Sequence, residues 1–212
     1  MSNAIKAVQA LINQLAPQAD LSDAITRLFE SSDEFLSKVK QFDTLFEAHP
    51  THEPIQEYAF DLLMVHHLEN HNDDEDYFDS KEWQDIEDKT LERGTELLNM
   101  LLYISEAQDA DMEMNVEDFL YEFLLVDEDE FQDEHRIYEE IIANQDLIEE
   151  SVTSVIEVAK RLPDELEIRE LFVPIILFFK DTEPKLVPKE YLSKTTKNEA
   201  AILAAMFAFA NA

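Results

Sequence analysis

The chain has 212 residues, enough for one domain or two small ones and long enough to bury a core. It carries 49 acidic and 16 basic side chains, a formal net charge of −33, one glycine and no cysteine. The missing cysteines exclude disulfides, cysteine-ligated zinc, iron–sulfur clusters and thiol catalysis, and fit a reducing compartment. One glycine argues against all-β and doubly wound α/β folds, whose tight turns and phosphate loops need it. The 14 phenylalanines argue for a packed globule rather than a disordered acidic tail. The expected class is all-α.

Helical periodicity predicts a first helix from about Asn3 to Leu15, stopping before Pro17. This stretch lacks the basic start and continuous apolar run of a signal peptide, so a cytoplasmic location is expected. A second helix covers roughly Ser22 to Glu30. "SSDEFLSKVKQFDTLFEAHP" opens with a capping-box pattern, Ser31 to Glu34, and ends before Pro50. After Pro54, the residues Ile55, Tyr58, Ala59, Leu62, Leu63 and His66 form one apolar stripe. The acidic loop "HNDDEDYFDS" follows. Ser80 is the expected cap of the next helix, with Gly94 as a kink or a break in it.

Asn115 is the expected cap of "VEDFLYEFLLV", which should bury Val116, Phe119, Leu120, Phe123 and Leu124. "DEDEFQDEHRIYEEIIANQ" and "DLIEESVTSVIEVAKRL" continue to Pro163. Pro174 should kink "DELEIRELFVPIILFF", and "KDTEPKLVPKEYLSKTTK" reads as a loop. The apolar "NEAAILAAMFAFANA" should form a central buried helix; its apolar run is shorter than the ~20 residues of a membrane span. About ten helices result, in an irregular antiparallel bundle or a short α-α stack, as one domain over 1–212. Residues 28–35 align without gaps to 124–131, with Phe42 over Tyr138, Leu45 over Ile141 and Phe46 over Ile142. This hints at a duplication of about 20–115 and 116–212.

The basic residues cluster. None lies between Lys40 and Lys81, and eight of the sixteen fall from Lys160 to Lys197. Two acidic stretches stand out: Asp73, Asp74, Glu75, Asp76 and Asp79 around Tyr77 and Phe78, then Asp127, Glu128, Asp129, Glu130, Asp133, Glu134 and Glu140. On a helix Asp129, Asp133 and Glu140 lie opposite Phe131, Tyr138 and Ile141. Carboxylates one turn apart repel by a few tenths of a kcal/mol per pair, and Arg136 is the one lysine or arginine interleaved to offset them. One reading is a solvated acidic surface. The other is a surface that meets a basic partner. Such acid density resembles that of phosphates on a nucleic acid, with about one charge per 1.7 Å of duplex. Tyr77 and Phe78 either fold back onto the core or serve as aromatic anchors ringed by charge. Like-charge crowding should make the protein more stable as pH falls from 7 toward about 5.

His67 and His71 share a helix face at i, i+4, and with Asp74 they are the candidate metal ligands. There is no H-E-x-x-H, no Glu-x-x-His, no EF-hand loop, and no P-loop, nucleophile elbow or dinucleotide fingerprint. His66 falls on the apolar stripe and reads as a satisfied core residue. No cofactor is implied. The reading is a non-enzymatic acidic binding protein, monomer or homodimer, that docks on a basic protein such as a nucleic-acid-binding protein or nuclease-like toxin. It would act as an inhibitor or immunity-type neutraliser, possibly a nucleic-acid mimic, without contacting nucleic acid or membrane itself. The alternatives are a helical scaffold whose charge only keeps it in solution, and a metal-dependent hydrolase using His67, His71 and a nearby aspartate.

Overall fold

The computed structural model describes residues 2–71, 75–123, 128–181 and 186–211; side chains are not described for 75, 122–123 and 128–135. Within them the protein is all-α, with neighbouring helices packed antiparallel. α1 (Asn3–Leu15), α2 (Ala19–Glu30), α3 (Phe35–Glu47) and α4 (Gln56–Glu69) form the first half of the bundle. α5 (Glu75–Phe78), α6 (Lys81–Thr90), α7 (Leu97–Asp109), α8 (Val116–Phe123) and α9 (Glu128–Ala143) follow. α10 (Val152–Ala159), α11 (Phe172–Lys180), α12 (Lys189–Lys194) and α13 (Lys197–Ala210) complete it. Three 3-10 helices, Pro50–Ile55, Gln145–Glu149 and Glu167–Glu170, join longer elements. The excess over ten helices comes largely from α5 and α12, of four and six residues, too short for a periodic pattern to register.

Several expected boundaries hold because a side chain fixes them. Ser80 accepts from the Trp83 amide at 3.1 Å and starts α6. Asn115 accepts from the Asp118 amide at 2.8 Å and starts α8. Gly94 marks a break, with α6 ending at Thr90 and α7 starting at Leu97. Two expectations about helix ends are corrected. Ser31 does not open a capping box: it terminates α2, and α3 begins four residues later at Phe35, whose ring is buried. Pro174 does not kink α11, because it sits in the first turn, where an amide has no intrahelical acceptor to lose. A capping box does form at Thr196 and Glu199, at the head of α13.

The buried apolar side chains make one contiguous cluster. α13 packs most extensively along α1, with Ala200, Ala201 and Ala205 allowing close approach. α4 is not the amphipathic helix its stripe suggests. Every residue from Tyr58 to Val65 is buried, because α1, α7 and the 3-10 helix Pro50–Ile55 surround it. The one charged residue in that stretch, Asp61, is therefore buried too. Along the possible duplication, Phe42 and Tyr138 are both buried, but the next pairs disagree. Ile141 is buried where Leu45 is half-buried, and Phe46 is buried where Ile142 is half-buried.

Candidate functional site

Among the described residues from His66 to Ser80, the histidines and Tyr77 pack together, while Asn70, Asp76, Phe78 and Asp79 are exposed. His66 is half-buried, stacks on Phe29 with ring centroids 5.4 Å apart, and has both nitrogens engaged. Nε2 donates to the Phe29 carbonyl at 3.3 Å, and Nδ1 lies 3.2 Å from the Ser2 hydroxyl. His67 Nε2 is 2.7 Å from the Tyr77 hydroxyl, and its ring lies 4.4 Å from that of Phe35. His71 stacks on Tyr77 at 3.9 Å while its Nδ1 donates to the His67 carbonyl at 2.9 Å. Phe78 and Trp83 meet edge to face at 5.3 Å. The result is an aromatic box closed by Tyr77. Burial first, then the neighbouring His71, holds the His67 pKa down at about 4, so the ring is neutral at ordinary pH. Burial raises the Tyr77 hydroxyl to about 12.

His67 and His71, the candidate metal ligands, both belong to this box. They do share a face, but His67 Nε2 and His71 Nδ1 are engaged within the box, and Asp74 lies outside the described residues. Among the described residues no group of three metal-binding side chains converges. Of the two aromatic candidates, Tyr77 is 8% exposed and bonded to His67 of α4, whereas Phe78 is 38% exposed. Asp76 and Asp79 are exposed and Glu140 is half-buried. Asp73, Asp74 and Asp127 lie outside the described residues. Glu75 is on α5, and Glu128, Asp129, Glu130, Asp133 and Glu134 are on α9. α5 packs on α6, whereas α9 packs on α8, α11 and the 3-10 helix Glu167–Glu170.

The acids that do converge come from elsewhere. A cleft of about 1300 Å³ opens between the start of α4, the 91–96 turn, the 164–171 segment and the head of α13. Glu57 enters from the start of α4, with Glu53 from the 3-10 helix just before it, and Glu92 and Glu96 from the 91–96 turn. Asp164, Glu167 and Glu170 face them, with Glu199 at the side. Against eight carboxylates stand three basic side chains, Arg93, Arg169 and Lys197, and two of these are already engaged. Arg93 forms a two-pronged ion pair with Asp43, one contact being 3.0 Å, and its guanidinium lies 4.6 Å from the Phe60 ring centroid. Arg169 donates to the Ala159 carbonyl and lies 3.6 Å from Asp164. The cleft is therefore strongly negative.

Its walls are fixed from behind. Tyr58, buried on α4, donates to Glu170 Oε2 at 2.8 Å across the cleft. Tyr138 of α9 donates to Glu96 Oε2, and Asn99 of α7 donates to the same oxygen at 2.9 Å. Beneath the 91–96 turn, Asp61 accepts the Thr95 amide at 3.0 Å and the Thr95 hydroxyl. Hydrogen-bonded, buried supports keep acids in place at lower entropic cost when a ligand arrives. The sequence did carry one local signal for this site: a lone aspartate inside "YAFDLLMV", flanked on both sides by apolar residues. The other acids are dispersed over 147 positions, Glu53 to Glu199, and no local pattern links them.

No helix among the described residues is long and apolar enough to cross a membrane. Comparison with protein-family models, with curated proteins and with solved structures finds no match.

Proposed function

We propose that the protein is a non-enzymatic acidic binding protein that seats a basic segment of a partner protein in the 53–199 cleft. The observation that carries this reading is the convergence of eight carboxylates, from four separated segments, on one concavity with only three basic side chains. Carboxylates in a concave, low-dielectric wall focus the field and raise the local concentration of cations. The hydrogen bonds that hold Glu96 and Glu170 suit charge-assisted contacts to guanidinium groups. The shape refines the nucleic-acid-mimic idea. A mimic of a duplex presents acids on a convex rod that enters the partner's cleft. Here the acids line the cleft, which fits a protruding loop or helix rich in arginine or lysine, such as a nucleic-acid-binding protein or nuclease-like toxin presents. Occupying that segment would neutralise it.

The test is titration with a fluorescent nona-arginine peptide at rising salt. Binding that falls steeply with salt, and that weakens when Glu57 and Glu167 are changed to glutamine, supports the reading. Binding that ignores salt, or ignores those two substitutions, contradicts it and favours a scaffold whose charge serves only solubility.

A further inference from the structure

Asp61 has no solvent exposure and lies directly under the cleft wall. Its two oxygens are held by one residue, through the Thr95 amide at 3.0 Å and the Thr95 hydroxyl. Thr95 Oγ1 in turn accepts the Leu97 amide at 3.1 Å, at the start of α7. A Cβ on Gly94 would lie 3.5 Å from Asp61 Oδ1, so the carboxyl abuts the backbone of the turn. Among the described residues no basic nitrogen lies within 4.0 Å of it. A wholly buried carboxylate without a cation is costly, and such a group tends to hold its proton.

The charges around it add to that. Glu57 stands one turn earlier on α4, and Glu96 closes the 91–96 turn. Arg93, on the same turn and lining the cleft, is engaged by Asp43 of α3 and lies over the Phe60 ring. On the 3-10 helix Pro50–Ile55, Glu53 is exposed and His52 is turned to the Ala16 carbonyl at 2.9 Å. Lys6 of α1 and Glu106 of α7 are exposed, and Asp109 closes the far end of α7.

We propose that Asp61 makes docking in the cleft proton-linked: with the cleft empty the carboxyl carries its proton, and a cationic group seated against Glu57 and Glu96 releases that proton to solvent. The proposal rests on the reading of the cleft as the seat of a basic segment. Two flanking carboxylates oppose a third negative charge, and a cation between them removes the opposition. Coupling is reciprocal, so ionising Asp61 must tighten cation binding by the same factor that the cation favours ionisation. Burial raises the carboxyl well above the ordinary range, the Thr95 bonds offset part of this, and Glu96 and Glu57 add to it. The Thr95 bonds survive either state, since a protonated carboxyl can donate to the hydroxyl that otherwise donates to it.

The experiment follows nona-arginine binding from about pH 5 to about pH 8, a range in which exposed carboxylates are mostly ionised. The affinity of the wild type should rise with pH, by at most about tenfold per unit for one linked proton. Asp61→Asn, which keeps the shape, should flatten the rise. In the unmodified protein, the Thr95 amide resonance should report the Asp61 titration, and added peptide should move its midpoint to lower pH. Peptide binding that is weakened by Glu57→Gln and Glu96→Gln, but keeps its pH dependence in Asp61→Asn, overturns the linkage alone. A Thr95 midpoint unmoved by bound peptide does the same. Binding indifferent to the two glutamate substitutions overturns the seat in the cleft, and the linkage with it.

Discussion

The aromatic box at His67 and the cleft floor at Asp61 lie on the same helix, two turns apart, and bury titratable groups of opposite kind. In the box a base is kept neutral by rings. Beneath the cleft an acid is kept from solvent by a turn whose own residues are acidic. The two regions therefore respond to acid with opposite signs. The unfolded chain protonates its histidines near 6.5, whereas native His67 waits until about 4. The stabilisation from keeping it neutral is full above 6.5 and is lost as pH falls through that window. Asp61 and Glu69 have raised folded pKa values, so the native state binds their protons first. Their contribution to stability grows as pH falls. Burial is the first cause for both, ahead of the like-charge crowding expected from composition.

The comparison breaks most visibly at Tyr77. Tyr77→Ala removes the ring that closes the box and should cost about 3 kcal/mol in urea unfolding. Tyr77→Phe loses only the His67 hydrogen bond, about 1 kcal/mol. Equal effects would mean the ring packing contributes nothing. Next comes the cleft floor. Asp61→Ala leaves the part-buried Thr95 amide without its acceptor and should cost about 2 kcal/mol, while Asp61→Asn stays within about 1 kcal/mol. A smaller effect sharpens the sign difference. Relative to the wild type, His67→Phe should shift the melting temperature upward on going from about pH 6.5 to pH 4, and Asp61→Asn should shift it downward. Smallest are Asp76→Asn and Asp79→Asn. Both side chains are exposed, and each should change stability by less than about 0.5 kcal/mol.

Much of the architecture was legible because it is local. Periodicity places α1 from Asn3 to Leu15, and single side chains at Ser80 and Asn115 place two further starts. The site was legible only in part. Its acids come from residues far apart in the chain, and only packing brings Glu57, Glu96 and Glu167 around one space. The dense acidic run drew attention because it is contiguous, yet its neighbouring histidines and Tyr77 are explained by packing against Phe35 and Trp83. Asp61 was hidden for a related reason. The stripe through Tyr58, Leu62 and His66 implied a solvent face for Asp61, and α4 has none over those turns.

The central claim is that cationic segments bind in the cleft and not along the contiguous acidic loop. The most direct test removes two charges from each region and compares nona-arginine affinity at low salt. Glu57→Gln with Glu167→Gln should weaken binding about tenfold, whereas Asp76→Asn with Asp79→Asn should change it less than about twofold. The reverse order, or equal losses in both pairs, would contradict the account.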